Sequence, residues 1–182
     1  IIAAPLSDTQ KEFAALFWKS SYQGVPVAYP AGLRDFYKTH DYKPLWIDGK
    51  KIARKNVKST LQTLESSWMD GLVPGNYNVK LLRQMAEADL DAAQLNDFEI
   101  LMSDAVARYG HDITGMRVSA KALGEDTKSW SKGIDAVQVL TFVASGDDAG
   151  KSLESLAPSG RLYNAMKEDL VKLLKDMAEH PD

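Results

Sequence analysis

The chain has 182 residues, of which 45% are hydrophobic, 26% charged and 9% aromatic, and 25 acids against 22 bases give a formal charge of −3. That balance excludes a disordered tail and argues against a nucleic-acid binder that works by neutralising phosphates. The lack of any cysteine excludes a disulfide framework, a thiolate zinc site, an iron–sulfur cluster and a cysteine nucleophile within the chain.

A single domain fits this length, since a chain of about 150 residues buries roughly 70% of its unfolded surface without a staple. No apolar run reaches the ~18 residues of a spanning helix. The opening Ile1-Ile2-Ala3-Ala4-Pro5 has no methionine. It reads as a processed or trimmed product, with a signal or anchor expected upstream.

The first element is a helix. Ser7-Asp8-Thr9-Gln10 is a capping box, and Phe13, Leu16 and Phe17 form an apolar stripe that runs up to Trp18. Gly24-Val25-Pro26 ends this element. A second helix is expected from Pro30 to about Thr39, burying Leu33, Phe36 and Tyr37. Pro44 forces Lys43 towards extended geometry, and the segment Tyr42 to Ile47 leads into the turn Asp48-Gly49 with no evident partner strand.

Val57, Leu61, Leu64 and Trp68 predict the third helix, with Gly71 at a left-handed C-cap and Pro74 after it. Asn78 is expected to cap a fourth helix that buries Val79, Leu82 and Met85. Asp91 is expected to cap a fifth, with the stripe Leu95, Phe98, Met102, Ala105 and Tyr109 and an end at Gly110. Residues 111–132 read as loop. Ile134, Val137, Leu140 and Thr141 mark a sixth helix closed by Gly146. A turn over Asp147 to Gly150 precedes a short helical piece with Leu153 and Leu156, stopped by Pro158. Ser159 is expected to cap the last helix, which carries Leu162, Met166, Leu170, Leu173 and Met177 on one face. The fold class is therefore all-α: a single compact domain of about seven helices, with at most a minor extended segment.

Chemistry-bearing patterns are sparse. His40, His111 and His180 have no second histidine three to five residues away, so neither a metal nor another cofactor is expected. The carboxylate pairs Glu125-Asp126 and Asp147-Asp148 lie in polar turns, where both members stay solvated. There is no G-x-S-x-G elbow, no S-x-x-K with a downstream partner set and no glycine-rich phosphate loop. Asp104 and Arg108 stand one helical turn apart, and Arg117 is placed to complete a fold-fixing polar cluster. Trp46 and Trp68 read first as core anchors. Tyr42, Trp46 and Trp130 are also the candidates for stacking on a glycan or a partner, Trp130 because it sits in the polar loop from Lys128 to Lys132.

Two motifs occur in order. Phe36-Tyr37, Tyr42 and Pro44-Leu45-Trp46 follow F-Y-x-x-R-x-Y-x-P-L-W, and Asp70-Gly71-Leu72, Pro74 and Tyr77 follow D-G-L-x-P-x-D-Y. Leu101 to Ala105, Tyr109, Asp112 and Gly115-Met116-Arg117 come next, then Leu156, Pro158 and Tyr163. From about residue 30 to 178 the chain resembles the N-terminal scaffold domain of the large periplasmic L,D-transpeptidases of Gram-negative bacteria. It departs at His40, where arginine is usual, and at Asn76, where aspartate is usual.

The resemblance implies a domain at 30–182 preceded by a helix and linker at 1–29. It also implies a periplasmic setting in which a separate domain cross-links peptidoglycan stem peptides through a cysteine. The H-x-G and S-x-G-C-x-R patterns of that catalytic domain are absent from this chain. Phe36, Tyr37, Pro44, Leu45, Gly71, Leu72, Pro74, Tyr77, Asp104 and Arg117 are then fold-fixing positions, none of them catalytic. The partner would be the L,D-transpeptidase catalytic domain, in cis or in trans, with peptidoglycan as a further contact. Two alternatives stand beside this function: a stand-alone envelope module that binds peptidoglycan, and a lytic glycosidase with two carboxyls about 5–9.5 Å apart across a cleft.

Overall fold

The structure, a computed structural model, describes residues 5–115, 121, 124 and 132–180. Among them are eight α-helices: α1 (Asp8–Leu16), α2 (Pro30–Thr39), α3 (Arg54–Ser66), α4 (Val79–Glu87), α5 (Ala92–Thr114), α6 (Ala136–Ala144), α7 (Ala149–Glu154) and α8 (Arg161–Glu179). Two 3₁₀ turns, Ser67–Asp70 and Pro74–Tyr77, lie between α3 and α4. The fold is all-α, as expected, with two very small antiparallel hairpins.

The first hairpin pairs β1 (Ser21–Tyr22) with β2 (Val25–Pro26). Gln23 and Gly24 both have positive φ, as a tight two-residue hairpin turn requires. The second pairs β3 (Ile47–Asp48) with β4 (Lys51–Ile52). It supplies the partner strand that was not apparent for Ile47, since two-residue strands are too short to show an alternating pattern.

Helix α5 is the axis of the domain. Every residue from Phe98 to Ala107 is buried, so the helix is covered on all sides. It is capped by the reciprocal Asp91–Gln94 box, just as α1 is by Ser7–Gln10. It does not end at Gly110 but runs on to Thr114. Gly110 has a packing role instead, because a Cβ there would lie 2.5 Å from Val139 of α6. Gly32 similarly lets α2 approach Ala136 of α6, and Gly150 lets α7 approach the Ser59 backbone of α3.

Asn78 occupies the N-cap position of α4 in a left-handed conformation, φ 53°, with no side-chain cap. Helix α6 buries Ala136, Val139, Leu140 and Val143, not the stripe through Val137, because a helix apolar all round gives no unique face. Asp148 caps α7, which begins at Ala149 where a turn was expected. Gly160, not Ser159, stands at the start of α8, without a side-chain cap. Gly71 does take the left-handed C-cap conformation, φ 72°. Phe13 of α1 and Phe17, which follows that helix, sit in the same core as Phe36, Tyr37 and Leu101.

Candidate functional site

Two polar nodes on α5 hold the domain together. In the first, the Glu99 side chain is fully buried, and its Oε1 accepts the Tyr37 hydroxyl at 2.5 Å and the Leu45 amide at 2.6 Å. Its Oε2 accepts the Trp46 amide at 2.9 Å. One turn on, Ser103 Oγ accepts the Trp46 indole N–H at 2.8 Å and lies 2.7 Å from the Tyr37 hydroxyl. Pro44 has no N–H to contribute and sets the extended path. The next two amides meet one carboxylate, which thereby clasps the P-L-W segment onto α5.

Burial drives the Glu99 carboxyl up from 4.5 to about 7, against the lowering effect of these hydrogen bonds. The Tyr37 phenol is held well above its ordinary value by burial and by the neighbouring Glu99 charge.

The second node is Asp104, which is 1% exposed. Its Oδ1 accepts the amides of Ala28 and Tyr29 at 2.9 and 3.1 Å, and its Oδ2 accepts Arg108 Nε at 2.6 Å. Arg108 then donates to the carbonyls of Pro26 and Asn76 at 2.8 and 3.3 Å. Burial raises the Asp104 pKa, and the Arg108 guanidinium opposes that shift. This network ties the first hairpin and the second 3₁₀ turn to α5. Nearby, the buried Tyr77 donates to Asp112 at 2.8 Å.

Clefts outside the core, among the described residues, include four that could hold a ligand. The widest of these four, about 580 Å³, lies between α1, the segment 42–50 and the start of α5 and is lined by Phe13, Tyr42, Lys43, Pro44, Ile47 and Leu95 among others. Its lining has one carboxylate, Glu12, and each of the other three clefts also has a single acid: Asp89, Asp70 and Glu87. None of the four is lined by two carboxyls that could work as an acid–base pair. Glu99, Ser103 and Asp104 line none of them.

Helix α8 has no buried residue. Its Tyr163 hydroxyl and Lys167 ammonium both reach Asp70, at 2.6 and 2.7 Å. Beyond that attachment, Leu162, Met166, Leu173 and Met177 are 56–75% exposed.

Trp46, one of the three stacking candidates, is 1% exposed with its indole N–H bonded. It offers no ring face to a glycan and is a core anchor. Tyr42 is half-buried at the mouth of the widest cleft. Trp130 and Arg117 lie outside the described residues. Phe36, Tyr37 and Tyr77 are fully buried, Leu72 is buried, and Leu45 packs against the core. Glu99 and Ser103 were missed at the sequence level. The available signal was two acids, Glu99 and Asp104, inside an otherwise apolar stretch from Phe98 to Ala107, where a helix apolar on every side leaves no solvent for them.

A family model described as "Scaffold domain" matches residues 31–170. The chain belongs to that family. Neither the curated proteins nor the solved structures give a match. The match covers the whole of the first node and begins after Pro26, Ala28 and Tyr29 of the second, and after Phe13 and Phe17, which are nevertheless part of the core. Among the described residues no helix is long and apolar enough to cross a membrane, and no group of three His, Cys, Asp or Glu is placed to hold a metal.

Proposed function

We propose that this scaffold domain is the non-catalytic part of, or companion to, a periplasmic L,D-transpeptidase that cross-links peptidoglycan. In this reading it packs against the catalytic domain and helps to position the strand. The observation that carries the proposal is the outward apolar face of α8, on a helix with no buried residue. Contiguous apolar surface on a folded domain marks a site of association. The ordered F-Y…P-L-W and D-G-L-x-P motifs supply the transpeptidase context. Glu99, Ser103 and Asp104 support a structural role, because each is bonded to backbone or side chains of another element and lines none of the four clefts.

The test is co-purification of the full chain with a separately expressed L,D-transpeptidase catalytic domain. The expected result is a complex that Leu173→Glu with Met177→Glu abolishes while the melting temperature stays unchanged. An acyl-transfer assay on a stem tetrapeptide accompanies it. Turnover by this chain alone would overturn the non-catalytic assignment.

A further inference from the structure

The sixteen residues from Lys43 to Lys58 hold six cations, Lys43, Lys50, Lys51, Arg54, Lys55 and Lys58, against one acid, Asp48, a net +5 in a chain whose total is −3. All six are exposed. Lys43 lies 3.9 Å from Asp41, and the other five make no ion pair among the described residues. Exposed cations are normally interspersed with acids, so a run of unmatched ones is a patch that favours an anionic partner.

The patch follows a groove. The 580 Å³ cleft shares Lys50, Leu90 and Leu95 with a second of about 280 Å³. The second shares Ile52, Arg54 and Ala86 with a third of about 430 Å³, which reaches Lys58. The three form one continuous track. Its floor is aliphatic at Pro44, Ile47, Leu90 and Leu95, and the acids Glu12, Asp89 and Glu87 stand along it.

A second feature points the same way. Helix α3 begins at Arg54 with Ala53 as N-cap, no side-chain cap and no acid in its first turn. Arg54 and Lys55 are thus cations at the positive end of a helix dipole, the end where they are least favourable. Four other helices of the domain start with a capping Ser or Asp side chain, while α2, α4 and α8 also start without one. An anion on the track would relieve this arrangement.

We propose that the track binds an extended polymer bearing carboxylates along its length. On the reading above, that polymer is a peptidoglycan strand with its stem-peptide carboxylates, and this identity rests on that reading. Cations spaced along a groove match anions spaced along a chain better than one compact anion. A concave track fits a strand and not a flat bilayer. Tyr42 is the one aromatic ring among the residues lining the three clefts besides the floor residue Phe13, whereas single-stranded nucleic acid is held on successive stacking rings.

The experiment is sedimentation of the full chain with purified sacculi, with carboxyl-amidated sacculi, and with polyglutamate read by fluorescence anisotropy. Wild type, the triple variant K50E/K51E/R54E and its neutral counterpart K50A/K51A/R54A are compared, with folding checked by circular dichroism. The expected result is retention on native sacculi that falls at least tenfold for the charge-reversed variant and less for the neutral one. Retention also falls on amidated sacculi and in 0.5 M salt. The L173E/M177E variant keeps full retention, which separates this surface from the α8 face. Equal retention of the charge-reversed variant overturns the proposal, as does tighter binding to single-stranded DNA or to phosphatidylglycerol vesicles. Binding to polyglutamate without binding to sacculi supports the track as a carboxylate site and overturns its assignment to peptidoglycan.

Discussion

The Tyr37 hydroxyl rests 2.5 Å from Oε1 of Glu99, in a site that excludes water from both. The same hydroxyl lies 2.7 Å from Ser103 Oγ. When Glu99 takes up a proton, its new O–H can donate to Tyr37, whose own hydrogen turns to Ser103. The node therefore accepts either protonation state without moving a heavy atom, and its charge follows pH.

The pKa of Glu99 rises from 4.5 to about 7 on folding. Between those values the folded state binds a proton that the unfolded state releases, so the stability contributed by this group falls as pH rises through the window. At ~1.36 kcal/mol per pKa unit the full swing is on the order of 3 kcal/mol. Glu99→Gln cannot ionise. Urea unfolding at a series of pH values should show the wild-type minus variant difference declining from about pH 4.5 to about pH 7, and level on either side.

Gly110→Ala should destabilise, although alanine in a helix interior normally gains about 0.8–1 kcal/mol over glycine. The new Cβ would lie 2.5 Å from both methyl carbons of Val139. Overpacking of this kind costs roughly 1–3 kcal/mol. The double variant Gly110→Ala, Val139→Ala should recover part of the loss, and a double-mutant cycle by chemical denaturation measures it.

Asp104→Ala should cost about 3–5 kcal/mol, the range for breaking a buried ion pair by removing one partner. It strips Arg108 of its carboxylate and the Ala28 and Tyr29 amides of their acceptor. Asp104→Asn keeps an oxygen for the amides and should fall between wild type and alanine. Denaturant midpoints at constant slope distinguish the three.

Deletion of residues 1–29 should leave a domain that spans the family match but melts lower. Phe13 and Phe17 are buried with ring centroids 5.3 and 5.0 Å from Tyr37. Two buried phenylalanines contribute about 1.5–3 kcal/mol each, and at ~2–4 °C per kcal/mol the fall is on the order of 10 °C. Loss of the two amides on Asp104 adds to it. Differential scanning calorimetry reads the shift directly.

Much of this architecture is legible in local chemistry. The Ser7–Gln10 box, the Asp91 cap, the Val57–Leu61–Leu64 spacing and the left-handed Gly71 are all short-range signals, and each is realised. What escaped depends on distant neighbours. Gly110 reads as a helix end until Val139 is known to pack there. Asn78 reads as a cap until its backbone is seen in the left-handed region. Trp46 has the composition of a stacking platform, and only the partnership with Ser103, 57 positions away, makes it interior. Glu99 and Asp104 were embedded in apolar sequence, yet their partners at Leu45, Trp46, Ala28 and Tyr29 come from segments without periodicity. The amphipathic pattern of α8 is clear in the sequence, but it carries no information on whether the domain covers that face.

Among the described residues Asp70 receives both side-chain attachments of α8 to the rest of the domain, from Tyr163 and Lys167, and both come from the first half of that helix. Opening α8 disturbs none of the hydrophobic interior, because nothing on it is buried. The helix should thus behave as its own cooperative unit, with amide deuterium uptake far quicker than that of α5. Asp70→Asn should accelerate uptake along α8 while protection across α5 stays at the global limit.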